Sequence, residues 1–205
     1  MKRVLLLLAV ALLCAACSSG HAGSGTSSGL NDRPSSQYDG FGLTPPQPRP
    51  AFTLTDTSGA SYNFATATQG KPTFLYFGYT HCPDICPTTM ADIGIALKSV
   101  PPDVRDEVVV VFVTTDVAAD TGPVIAQWLS AFQTGLPNRF VGLYGTQAQI
   151  DAAQAAAHVS IAADHGETHS LQVMLYGPDD YAHVEFLLSK EEAKQIAHDL
   201  AIIGS

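Results

Sequence analysis

Basic residues are scarce. Ten Lys and Arg stand against 19 Asp and Glu, a formal net charge of −9 over 205 residues. So acidic a chain is a poor partner for nucleic acid or an anionic lipid surface, and it suits cations and basic partners instead. Charged residues of either sign make up only 14% and hydrophobic ones 46%, which excludes wholesale disorder and a coiled coil. Four cysteines are too few for a disulfide-dense scaffold. The apolar run at the N-terminus, Val4–Leu13, has 10 residues. A membrane-spanning helix needs roughly 20.

That run is nevertheless informative. Lys2 and Arg3 precede it, and small Ala15 and Ala16 follow before Cys17, the pattern of a cleaved signal peptide. The ending resembles a bacterial lipobox with Cys17 as the lipidated residue. It departs from that pattern in placing Cys14 where Leu is usual. Residues 1–16 are therefore expected to be a lipoprotein signal peptide. Residues 17–45, rich in Ser, Gly and Pro, are expected to be a lipid-anchored flexible tether, with His21 a solvated bystander. This places the folded domain, 46–205, on the extracytoplasmic face of a bacterial cell membrane. Two thiols, Cys82 and Cys86, then remain in an oxidising compartment.

Strand and helix patterns alternate from Ala51 onward. The segments 51–55 and 61–64 read as strands around an Asp56–Gly59 turn, and TFLYFG at 73–78 as a buried strand. Met90, Ile93 and Leu97 give 86–99 a helical period, with Pro87 in its first turn. The β-branched run 107–115 fits a central strand covered on both faces. Then follow a helix at 121–132, a strand at 139–145 and a helix at 146–158. Strands 170–177 and 181–188 flank Pro178-Asp179-Asp180 as a hairpin, and Ser189 with Glu192 opens a last helix to 203 with a capping box. The order predicts an α/β domain, a central mixed sheet flanked by helices.

Chemistry concentrates in YFGYTHCPDICPTTM, residues 76–90. Cys82 and Cys86 lie three residues apart between a buried strand and a helix, in a loop stiffened by Pro83 and Pro87. A strand-to-helix turn in an open sheet is a usual ligand site. The helix N-terminus favours a thiolate at Cys86, and a solvent-accessible loop would allow ligand exchange. Such a pair can be a structural disulfide, a redox dithiol or a soft-metal site. A disulfide closing so short a loop gains little. Structural zinc wants four ligands, whereas Cu(I) suits two thiolates and one imidazole. Of seven histidines, His81 adjoins Cys82, and His165 and His169 precede the strand at 170. His158, His183 and His198 read as ordinary surface or core residues, and Asp84 as part of a solvated acidic rim.

GYTHCPDICP (78–87) closely resembles the signature of the Sco/SenC family, copper-binding assembly factors of cytochrome c oxidase. PRPAFTLTDTSG (48–59), VFVTTDVAADTGPVIAQWLSAF (111–132) and ETHSLQVMLYGPDD (167–180) resemble further family segments, so the likeness spans about 46–204. It implies a thioredoxin-like fold with extra N-terminal strands. It implies copper bound by Cys82, Cys86 and His169, as Cu(I) and also as Cu(II), with Asp116 and His81 as candidate auxiliary or tuning groups. A turn-capping Asp116 is the plain alternative. The family's usual Pro after that Asp is Val117 here, and the following charged pair is Ala118-Ala119. The implied role is a membrane-anchored copper chaperone, not an enzyme, delivering to the Cu(A) centre of oxidase subunit II and served by a copper donor or thiol reductant. The rival is a thiol–disulfide reductase using Cys82 and Cys86 as a redox pair to maintain the oxidase cysteines. Such enzymes have a cis-proline before the neighbouring strand, and no proline occurs from Asn138 to Gly177. A peroxidase would need an arginine by the thiol, and the nearest in sequence are Arg49 and Arg105.

Overall fold

A computed structural model describes residues 37–159, 172–187 and 193–204. The leader with Cys17, both His165 and His169, and the Ser189–Glu192 cap lie outside the described residues.

The chain forms β1 (Phe41–Pro48), β2 (Thr53–Asp56), β3 (Ser61–Asn63), α1 (Phe64–Thr68), β4 (Thr73–Gly78), α2 (Ile85–Ser99), α3 (Pro102–Arg105) and β5 (Val109–Thr114). It continues with α4 (Gly122–Ser130), β6 (Phe140–Tyr144), α5 (Gln147–Ala156), β7 (Gln172–Tyr176), β8 (Tyr181–Leu187) and α6 (Ala193–Ile203). The strands build one mixed sheet in the order β1-β8-β7-β4-β5-β6-β2-β3. β4, β5 and β6 are parallel, and β7 runs antiparallel to β4. This is the thioredoxin-like α/β arrangement with additional N-terminal strands. No helix among the described residues is long and apolar enough to cross a membrane.

Alternation along β4 explains how the sheet is covered. Phe74 and Tyr76 face a core shared with Met90, Ile93 and Leu97 of α2, Ile125 and Leu129 of α4, and Ile196 and Leu200 of α6. Leu75 and Phe77 face the other core with Phe64, Ile150 and Ala153. All six β4 residues are buried, as are five of the six in β5. These central strands lack a polar face because helices cover both sides.

Two expectations change. Phe41–Pro48 is strand β1 and overlaps the end of the stretch read as tether up to 45, because it finds a partner in β8 (Phe41↔Glu185, Pro48↔Tyr181). Just before it, the backbone N–H groups of Asp39 and Gly40 donate to the buried Asp199 carboxylate, both at 2.8 Å. Phe64, read as the end of a strand, instead opens α1, which Asn63 caps by accepting from the Thr66 N–H.

The sheet has two distinct ends. At one, Thr73 pairs with Tyr176, and the turn Gly177–Asp179 lies with Gln37, Tyr38, His183 and the end of α6 around a shallow cleft. Arg49 is held near this end by Asp180 (2.8 Å), Thr68 and the carbonyls of Lys71 and Gly177. At the other, β4 runs out at Gly78 into the cysteine loop.

Candidate metal site

The loop follows from the strand that feeds it. β4 ends at Gly78, whose carbonyl accepts from the Thr115 N–H at 2.8 Å, so the chain leaves the sheet beside the end of β5. The Cys82 N–H reaches back to the Tyr79 carbonyl at 3.4 Å, and Ile85 starts α2. Asp84, at the N-cap position, makes no side-chain cap. The Cys86 N–H donates instead to Cys82 Sγ at 3.4 Å, so a sulfur serves one of the orphan donors of the helix start.

The two cysteines are not bonded to each other. Cys82 is 9% exposed and Cys86 0%. Cys86 Sγ sits against Gly78, where an added Cβ would lie 2.9 Å from it, and accepts a hydrogen bond from the Tyr76 hydroxyl at 3.1 Å. Burial pushes the Cys86 thiol up to about 12, while the bond from Tyr76 and the Tyr79 backbone pull the other way. Burial therefore opposes the thiolate expected at Cys86. Desolvation outweighs the helix terminus, and the sulfurs are less open to water than the loop sequence implied.

The remaining candidates separate. Asp116 spends Oδ1 on its own turn, accepting from the Ala118 and Ala119 N–H groups at 3.2 and 3.0 Å. It is Asp120 that reaches the loop. Its buried carboxylate accepts from the Thr80 N–H (2.9 Å), the Thr80 hydroxyl and the Thr114 hydroxyl (2.6 Å). Sequence reasoning passed over Asp120; its only signal was a place in the same acidic turn as Asp116. His81 is exposed, its Nδ1 3.2 Å from Thr80 Oγ1 and 3.5 Å from Asp120 Oδ1. Arg49 is committed to the opposite end of the sheet. Among the described residues no three His, Cys, Asp or Glu side chains gather to hold a metal. His183 and His198 pair with Asp179 and Asp199, both at 2.8 Å, as ordinary surface histidines.

Two soft sulfur donors on one rigid turn suit a soft cation or thiol exchange. The SCO1/SenC family model matches residues 43–203. A "putative copper-binding protein" of Stutzerimonas stutzeri is 30% identical over 136 residues, which cover 63% of this chain and 64% of that one. The chain thus spans somewhat under two thirds of that relative's length. A Bradyrhizobium japonicum ScoI structure with copper bound superposes with a TM-score of 0.62 at 30% identity, covering 76% of this chain and 98% of that one. Apo Sco1 of Thermus thermophilus superposes at 0.68 with 26% identity, covering 80% and 96%. With its two-cysteine turn at the end of β4 and a family match running from β1 to α6, the chain belongs to the SCO1/SenC family.

Proposed function

We propose that this protein is a membrane-anchored, extracytoplasmic copper carrier that binds Cu(I) through Cys82, Cys86 and His169 and passes it to the Cu(A) centre of cytochrome c oxidase subunit II. One observation carries the reading. Cys82 and Cys86 sit together on a single turn where β4 ends, and β7 begins at that same end of the sheet, with Tyr76 opposite Val173. His169 precedes Gln172, the first residue of β7, by three positions in the sequence. Two thiolates and an imidazole make a trigonal Cu(I) set. Cu(II) would need a further N or O donor, for which Asp116 and His81 remain the candidates. Lipid on Cys17 would hold carrier and oxidase at one membrane surface and raise their effective concentration.

Anaerobic Cu(I) titration of the protein against a competing chelator tests this, with Cys82→Ser, Cys86→Ser and His169→Ala alongside. Tight one-to-one binding lost in all three variants is expected. Binding indifferent to His169 overturns the ligand set. A Cys17→Ala protein should fold but leave the membrane fraction, and its retention there would count against the anchor.

The burial difference between the two cysteines favours a second reading, a thiol–disulfide reductase. The outer Cys82 thiolate would attack a partner disulfide, releasing one partner thiolate and forming a mixed disulfide. Cys86 would then displace the second partner thiolate and close the Cys82–Cys86 bond. Reduction of an oxidised oxidase fragment without copper, lost in both cysteine variants, would identify it.

A further inference from the structure

Beside the cysteines a short chain of hydrogen bonds has only one consistent direction. Asp120 Oδ2 accepts from the Thr80 N–H and the Thr114 hydroxyl. Asp120 Oδ1 accepts from the Thr80 hydroxyl. A threonine hydroxyl has one proton. That proton goes to the carboxylate, so Thr80 Oγ1 can meet His81 Nδ1, 3.2 Å away, only as an acceptor. Nδ1 therefore carries the ring proton, with Asp120 Oδ1 at 3.5 Å as electrostatic support. In the neutral ring, Nε2 then holds the lone pair. The His81 side chain is 64% exposed. With Thr80 it lines an open cleft of 380 Å³ against Val124, Gln127, Trp128 and Ala131 of α4.

We propose that His81 Nε2 is an exchange ligand, holding Cu(I) in passage between a partner's donor atoms in this cleft and the sulfurs of Cys82 and Cys86, with Asp120 and Thr80 fixing the ligating tautomer. The proposal rests on the copper-carrier reading. A carboxylate behind a ligating imidazole is the usual way a protein fixes which nitrogen faces the metal. The exchange is balanced. The copper stays Cu(I), a bond to Nε2 forms as one to the partner breaks, and Cys82 then replaces Nε2 as its thiol proton leaves to water.

The test supplies Cu(I) as its bicinchoninate complex in anaerobic stopped flow to wild type and His81→Ala, an exposed position that leaves the core intact. The transfer rate should fall about tenfold in His81→Ala. Separately, nitrogen-15 shifts of His81 in the metal-free protein should report the Nδ1–H tautomer in wild type. They should show growth of the Nε2–H form in Thr80→Val. Equal transfer rates, or an Nε2–H ring in wild type, overturns the proposal alone. A wild type that does not bind Cu(I) overturns the copper-carrier reading and takes this one with it.

Discussion

The Tyr76 hydroxyl donates to Cys86 Sγ across 3.1 Å, from the middle of β4 to the first turn of α2. Tyr76 is fully buried, packed tilted against Phe112 at 6.0 Å between ring centroids, so the donor arrives on a rigid base. Tyr76→Phe keeps the volume and deletes the bond. It should cost about 1 kcal/mol in urea unfolding, the usual worth of one such bond. An unchanged midpoint would show that the sulfur gains nothing from the hydroxyl.

The two thiols should react unequally. Cys86 is buried and its thiol is pushed up to about 12, whereas Cys82 is the outer sulfur. With iodoacetamide near neutral pH, Cys82 should be alkylated on the order of tenfold faster or more, as read by peptide mass spectrometry. Equal labelling would mean that Cys86 is open in solution.

Gly78→Ala should be costly without altering any donor. Its new Cβ would lie 2.9 Å from Cys86 Sγ, 3.1 Å from Tyr76 Cε1 and 3.2 Å from Phe112 Cε2. Overpacking of this kind costs about 1–3 kcal/mol. The displaced sulfur should also weaken Cu(I) retention, measured against the same chelator. A variant with wild-type stability and retention would show the turn to be compliant.

Asp116→Ala and Asp120→Ala should part company. The first loses two bonds of an exposed turn, about 1 kcal/mol. The second strands the Thr80 N–H and the hydroxyls of Thr80 and Thr114, with a loss of about 3 kcal/mol or more. Thermal unfolding of the two variants decides the ranking.

His198 predicts a pH dependence. Its hydrogen bond to Asp199 raises its pKa above the ordinary 6.5, helped by Asp39. A raised folded pKa means stabilisation that is fully present below pH 6.5 and fades as pH rises through the folded value. His198→Gln should therefore lower Tm at pH 5.5 and matter less at pH 8. The same loss at both values would remove the charge from the explanation.

These contrasts also show what could be read in the linear chain. TFLYFG at 73–78 matches β4 residue for residue, because an unbroken apolar run bounded by Lys71-Pro72 and a glycine has few other fates. The cysteine loop was legible because its spacing and prolines are local. β1 was not. FGLTPPQP is mostly exposed and proline-rich, and only pairing with β8, more than a hundred residues on, makes it a strand. Asp120 was hidden for a related reason. Its partner Thr80 is 40 residues away, and nothing nearby distinguishes it from Asp116. The Cys86 thiolate was misjudged because helix ends contribute only about 0.3–1 kcal/mol, whereas burial depends on a core the sequence does not display.

The placement of the first described residues has a practical consequence. Gln37 and Tyr38 lie beside the Gly177–Asp179 turn, at the end of the sheet where Thr73 pairs with Tyr176. The cysteine turn leaves β4 at the far end, a strand length of about 20 Å away. A label or support attached at Gln37 itself therefore takes hold at the end of the domain remote from the cysteine turn. The cysteine turn then lies at the other end of the sheet, away from the point where the described chain begins.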